Sequence, residues 1–231
     1  MQARSSRLLP VLALASVVAM CAGQYAIWLY APEEVTMGVV QKIFYVHLPL
    51  AWWAFAAFFG VFVASALTLW SGADIWDRWA GVLAELGVLL SGLALITGSL
   101  WGRAAWNTWW TWDPRLSTTL VMWFVYAGYL VLRAADVGGA KGVRVRAVLG
   151  IVAFLDVPLV FLSARLWRSI HPAVFASRGG GLAPEMWNTV WINIVAWGIL
   201  VAALALARYR AEMLHTRVRG VLVRIQDRFV E

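Results

Sequence analysis

Two histidines and five tryptophans carry the chemistry this chain has to offer. His47 stands in Phe44-Tyr45-Val46-His47-Leu48-Pro49 and His171 in Arg168-Ser169-Ile170-His171-Pro172. Between them Trp101, Trp106, Trp109, Trp110 and Trp112 crowd into twelve residues that run on into Asp113, Pro114 and Arg115. An indole is apolar with one polar N–H, so one or two at a membrane edge are ordinary anchors. Five, with Arg103, Arg115 and Asp113 beside them, exceed what anchoring needs. They make a flat, rigid, π-rich shelf suited to holding a large planar ligand by its faces. Two imidazoles flanking such a shelf are what a six-coordinate haem iron takes as axial ligands.

Each of these residues also has a plainer role open to it. Arg103 and Arg115 either snorkel to the interface or pair with two propionates through bidentate guanidinium groups. Asp113-Pro114 reads as the N-cap and first residue of a helix, because a proline pushes its predecessor out of helical geometry. Trp106, Trp109 and Trp110, spaced i, i+3, i+4, are expected on one face of a short helix along the membrane, with Trp101 and Trp112 on another. His47, just before Pro49 at a helix start, sits at the positive end of the dipole, which disfavours imidazolium and keeps a nitrogen for metal. His171 closes a helix at the negative end, so iron there competes with a proton in mild acid. His215 lies among arginines in the C-terminal tail and reads as solvated.

The elements that must position these side chains are membrane helices. The chain is 62% hydrophobic and 13% charged, with a mean hydropathy of +0.75. Soluble domains carry about a quarter charged residues, and 231 residues cannot bury this much apolar surface in one core. Lipid must be the solvent. Six stretches qualify as spans, at about 8–30, 48–70, 81–100, 116–133, 147–168 and 188–209. Each makes ~27–35 Å of helix against a hydrocarbon core of ~30 Å. The fold class is therefore all-α: a single polytopic membrane domain over 1–231, with a tryptophan-rich outer segment at 101–115 and a basic tail at 210–231.

Charge sets the orientation. With the N-terminus in the cytoplasm, that side collects Arg4, Arg7, Arg78, Arg133, Lys141, Arg144, Arg146, Arg208, Arg210, Arg217, Arg219, Arg224 and Arg228. The other side keeps Lys42, Arg103, Arg115, Arg165, Arg168 and Arg178. The bias puts both termini inside and the tryptophans outside. It also accounts for the net charge of +7, and the basic tail is suited to anionic headgroups of membrane lipid or to a cytoplasmic partner. No fold that reads nucleic acid is present in the pattern. The first apolar run, preceded by Arg4 and Arg7, is too long for a signal-peptide core and reads as an uncleaved span. Cys21 is the only cysteine, which excludes an internal disulfide, a thiolate zinc cluster and haem attachment through C-x-x-C-H.

Two acidic residues fall inside spans. Glu85 lies near the cytoplasmic start of span 3, where snorkelling and hydrogen bonding account for it. Asp156 lies near the middle of span 5 beside Pro158 and reads as a structural hydrogen bond across helices, the alternative being a part in haem passage. A solute-permease subunit would need more of a polar path than these two residues provide. A respiratory cytochrome b subunit would place its histidines at span-interior depth.

The run W-G-R-A-A-W-N-T-W-W-T-W-D-P-R-L-S resembles the tryptophan-rich "WWD" motif of the membrane haem-handling proteins of cytochrome c maturation. With Y-V-H-L-P-L-A-W, W-R-S-I-H-P and six spans, nearly the whole chain is similar to the haem exporter protein C (CcmC) family. The resemblance implies a non-enzymatic protein of the bacterial inner membrane that holds haem b transiently at its periplasmic face. His47 and His171 would be its axial ligands, and Trp101, Trp106, Trp109, Trp110, Trp112, Asp113, Arg103 and Arg115 its platform. It further implies transfer of haem to a CcmE-like chaperone, beside CcmA and CcmB transporter subunits and a small CcmD-like membrane protein. Asn107, Pro114 and Ser117 depart from the family pattern, which there favours glycine, alanine and threonine.

Overall fold

The computed structural model describes residues 2–135, 139–167 and 182–230, and among them the chain is helical with no strand. Its helices are α1 Gln2–Tyr25, α2 Phe44–Ser71, α3 Asp74–Trp106, α4 Pro114–Ala134, α5 Gly139–Ala153, α6 Asp156–Leu166 and α7 Pro184–Val230. α1 continues through a wider π turn, Ala26–Tyr30, and a short tight turn, Val39–Ile43, leads into α2. Among the described residues six helical stretches are long and apolar enough to cross a membrane, with α5 and α6 together forming the fifth.

Short connections make neighbours antiparallel. α2 ends where Gly72 turns to φ 66°, and its N–H returns to Thr68 O at 3.0 Å; a left-handed residue just past a helix is best supplied by glycine. α3 starts two residues later and packs along the whole of α2. Their interface is close because Gly87 has no side chain: a Cβ there would overlap the Phe58 ring. Phe58 in turn stacks on Tyr126 of α4, centroids 3.7 Å apart. Leu50, Ala54, Phe58 and Val61 of α2, Ala84 and Leu90 of α3, Tyr126 and Tyr129 of α4 and Val160 of α6 form the main buried cluster.

α7 closes the bundle. It packs on α1, where Asn193 Nδ2 donates to Thr189 O at 2.9 Å and reaches Gly23 O at 3.5 Å. It is tied to α2 by Trp53 Nε1, which donates to Ile194 O at 2.8 Å. At 47 residues α7 is ~70 Å long, more than twice the apolar thickness of a bilayer, so the basic tail continues as helix beyond the span.

The fifth span differs from the expectation of one helix over 147–168. Helix begins at Gly139 and breaks at Phe154 and Leu155, where N–H groups bond three residues back (Phe154 N to Ile151 O, 3.2 Å; Leu155 N to Val152 O, 3.1 Å). Pro158 is the cause: it has no N–H for the carbonyl four residues earlier, Phe154 O, and its ring crowds that carbonyl. Asp156 therefore opens α6 instead of lying mid-helix. Its buried Oδ2 has no hydrogen-bond partner, so the cross-helix bond expected of it is not formed by that oxygen.

The basic end of the bundle is cross-linked by ion pairs. Asp77 of α3 accepts from Arg146 Nε and Nη2 of α5 at 3.2 and 3.1 Å, and Arg133 Nη1 of α4 lies 3.1 Å from its Oδ1, close but off the angle of a hydrogen bond. Glu85 of α3 accepts from Arg208 Nη2 of α7 at 2.9 Å, and Arg208 also reaches Glu212. A cavity of about 690 Å³ opens between these groups.

Candidate functional site

At the opposite end, α3 delivers Trp101 and Trp106 in its last two turns and stops at Asn107. Asn107 takes φ 57°, the left-handed conformation that asparagine tolerates best after glycine. Arg103 secures the stop: its Nη1 donates to Asn107 O at 2.9 Å and also to Asn107 Oδ1. Six residues further on, Asp113 Oδ1 accepts from Arg115 N at 2.9 Å and caps α4, with Pro114 at its first position. The N-cap reading of Asp113-Pro114 is thus what the backbone adopts.

Between these two points residues 107–113 are irregular. Trp106, Trp109 and Trp110 do not share a face of an interfacial helix, and Trp101 and Trp112 do not share another. The periodicity was real, but a left-handed residue at one end and a proline at the other leave no room for a helical turn. The segment folds back on α3 instead. Ser99 Oγ donates to Trp109 O at 2.6 Å, and Thr108 Oγ1 donates to Trp110 O at 3.1 Å. Gly102 permits the return, since a Cβ there would come within 3.2 Å of Thr108 O.

This fold divides the five tryptophans. Trp101 is buried, 5% exposed, against Phe44 (centroids 5.9 Å), and touches Trp106 (6.1 Å). Trp109 and Trp112 are 57% and 79% exposed, and Arg103 lies over the Trp109 ring at 5.9 Å. Trp110, half-buried, meets Trp112 edge-on at 6.0 Å. Trp101 Nε1, Trp110 Nε1 and Thr111 Oγ1 are buried with no hydrogen-bond partner. The indoles do not form one flat shelf, since Trp110 and Trp112 are inclined by 82° and Trp101 and Trp106 by 31°. What they form has one buried root, open indole faces and buried donors without acceptors.

His47 sits against that root. It lies in the first turn of α2, which starts at Phe44, earlier than expected; Pro49 is inside the helix instead of opening it. The His47 ring is half-buried, with Nδ1 3.0 Å from Thr97 Oγ1 and its centroid 6.0 Å from that of Trp101. A Cβ on Gly98 would stand 3.1 Å from His47 Cε1. Thr97, Gly98 and Trp101 lie within one turn of α3, so one stretch of helix seats both the imidazole and the base of the shelf. Sequence reasoning missed Thr97 and Gly98, although a hydroxyl four residues before Trp101 in an apolar run was a signal for a shared face.

His171 lies outside the described residues. The segment that carries it joins α6 to α7, and the α7 side of that connection is placed. Leu182, Ala183, Met186 and Val190 pack in the same apolar cluster as Phe44, Tyr45 and Trp101. Arg115 is half-buried in the first turn of α4. Lys42, also missed, is buried with Nζ 3.3 Å from Trp28 O and over the Trp28 ring.

Among the described residues no three His, Cys, Asp or Glu side chains come together as ligands for a bare metal ion. What is gathered here suits a planar group bringing most of its own metal ligands: one seated imidazole, open aromatic faces, orphaned N–H and O–H donors, and two guanidiniums for acidic substituents. Haem fits these residues.

A family model described as "Heme exporter protein C" matches residues 1–224. The chain is 34% identical over 221 residues to the Heme exporter protein C of Bradyrhizobium diazoefficiens, covering 95% of this chain and 84% of that protein. It is 30% identical over 220 residues to the protein of the same name from Rhodobacter capsulatus (94% and 91% covered). With that from Escherichia coli K12 it shares 29% over 202 residues (87% and 82% covered).

Proposed function

We propose, on the premise that this chain belongs to the heme exporter protein C family, that it carries haem b to a CcmE-like chaperone for c-type cytochrome biogenesis. On this reading it is a delivery protein of the bacterial inner membrane, not an enzyme. Both termini face the cytoplasm and the tryptophan end faces the periplasm. CcmA and CcmB transporter subunits and a CcmD-like small protein are its partners, with membrane lipid around it.

The observation that carries the reading is the contact of His47 with Trp101 at the root of the shelf. His47 and His171 would hold the haem iron through their imidazole nitrogens. The chain's own contribution is orientation. Trp101, near the end of α3, touches both the imidazole and Trp106, so the end of that helix links His47 to the tryptophans. Trp106, Trp109 and Trp112 offer open faces for stacking, each worth about 1 kcal/mol in aromatic pairs. Arg103 and Arg115 are the partners for propionates. Asp113 supports the platform indirectly, by fixing where α4 begins.

Transfer depends on geometry, with a tolerance near ~1 Å, so it is more sensitive to the shelf than retention is. The test replaces Trp109 and Trp112 by alanine and leaves Asp113 in place to keep the α4 cap. Haem retained by this protein and haem loaded onto a co-expressed chaperone are measured in the same membranes. Loading is expected to fall much further than retention. Full loading by the double variant would reduce these tryptophans to anchors.

A further inference from the structure

The protonation pattern around His47 can be read from oxygen positions alone. Thr97 Oγ1 lies 2.8 Å from Leu93 O and 3.2 Å from Ala94 O, the carbonyls one turn back on α3. A carbonyl only accepts, and a hydroxyl has a single proton. Two oxygens 2.8 Å apart with no proton between them repel, so the Thr97 proton belongs to the Leu93 contact. Toward His47 Nδ1, at 3.0 Å, Thr97 Oγ1 is then an acceptor, and Nδ1 must carry the hydrogen. A neutral imidazole protonated at Nδ1 has its lone pair on Nε2, across the ring.

The ring is also placed. Gly98 clears the space for it, since a methyl group there would crowd Cε1 at 3.1 Å. Trp101, one turn from Thr97, meets the ring edge-on. The imidazole is thus gripped from its Nδ1 side by consecutive positions of one helix, across a contact that joins residues fifty apart in the chain.

We propose that Thr97 is a positioning residue for haem: its hydroxyl accepts from His47 Nδ1–H and locks the ring in the tautomer that presents Nε2 to iron, with Gly98 providing the clearance. The inference rests on His47 as an axial ligand, as proposed above. An outer hydrogen bond of this kind fixes ring direction and raises ligand basicity, and its loss typically costs 10–100-fold in metal affinity.

The test uses the full-length protein in detergent with 15N-labelled histidine. Haem-free samples in a His171→Gln/His215→Gln background leave His47 as the only imidazole. Wild-type Thr97 is expected to give an Nδ1-protonated, Nε2-bare nitrogen pattern, retained in Thr97→Ser and lost in Thr97→Val, which keeps the shape and removes the acceptor. With His171 and His215 restored, Thr97→Val is expected to retain haem at least about tenfold more weakly, and Thr97→Ser to stay near wild type. A His47 protonated on Nε2 in the unsubstituted Thr97 protein would overturn the proposal without need of any variant at position 97. So would unchanged tautomer or haem retention in Thr97→Val. If the tautomer responds as stated but His47→Ala leaves the haem spectrum intact, the ligand assignment has failed while the hydrogen bond stands. The positioning role then falls through the assignment alone.

Discussion

The two ends of this helix bundle solve opposite problems. At the basic end, Asp77 is held by Arg146 and Arg133, Glu85 by Arg208, and Trp79 lies flat on Tyr209 at 4.5 Å. Four helices are fastened there by side chains whose charges are largely spent on one another. At the tryptophan end, helix gives way to seven irregular residues and indole faces stand open. Trp101 Nε1, Trp110 Nε1 and Thr111 Oγ1 are buried there without acceptors, as Tyr129 Oη and Arg133 Nη1 are without hydrogen-bond partners at the basic end. Buried polar groups without partners are uncommon, and those in a site need an explanation such as a missing ligand. One end is cross-linked by its own side chains around a cavity of about 690 Å³, and the other, on the proposed reading, is completed by haem. Stability and function are therefore expected to separate between the ends, and substitutions can break or sharpen that division.

The largest effect on stability is expected at the basic end. Asp77→Ala strands two largely buried guanidiniums, and removing one partner from such a group costs about 3–5 kcal/mol. Thermal unfolding in detergent should show it as a large drop in melting temperature, and an unchanged melting curve would mean that the ion pairs are ornaments of an otherwise apolar bundle. Trp101→Ala is next, at about 3 kcal/mol, because Trp101 is buried although it belongs to the shelf. It blurs the division by design: both melting temperature and haem retention should fall together. The Trp109→Ala/Trp112→Ala pair gives the smallest stability change, within about 0.5 kcal/mol, since both rings face outward. Its melting curve should overlay that of the wild type while chaperone loading drops. A substantial loss of melting temperature in that pair would show that the open tryptophans hold the fold together, and the contrast between the ends would collapse.

The helices were legible in the sequence because length and apolarity alone mark a membrane span, and the α4 cap was legible because Asp113-Pro114 is a local signal. The break at Phe154 and Leu155 was not foreseen, although Pro158 was visible, because the apolar run continues unbroken through it. The tryptophan spacing misled for a related reason. Periodicity reports a helix only where a helix can form, and Asn107 in the left-handed region ends α3 first. Thr97 and Gly98 were hidden more deeply. Their role arises only when α2 lies on α3 and brings His47 against them, a contact between residues fifty positions apart. The pairing of Asp77 with Arg146 is likewise a product of packing, across sixty-nine positions.

The central claim is that the tryptophan end holds haem through His47 and His171. The optical spectrum of the purified full-length protein tests it most directly, because iron with two imidazole ligands is six-coordinate and low-spin. The wild type and His215→Ala are expected to show that low-spin pattern. His47→Ala and His171→Ala should each lose it while keeping some haem through stacking and propionate contacts. An unchanged low-spin spectrum in the His47→Ala/His171→Ala double variant would contradict the account.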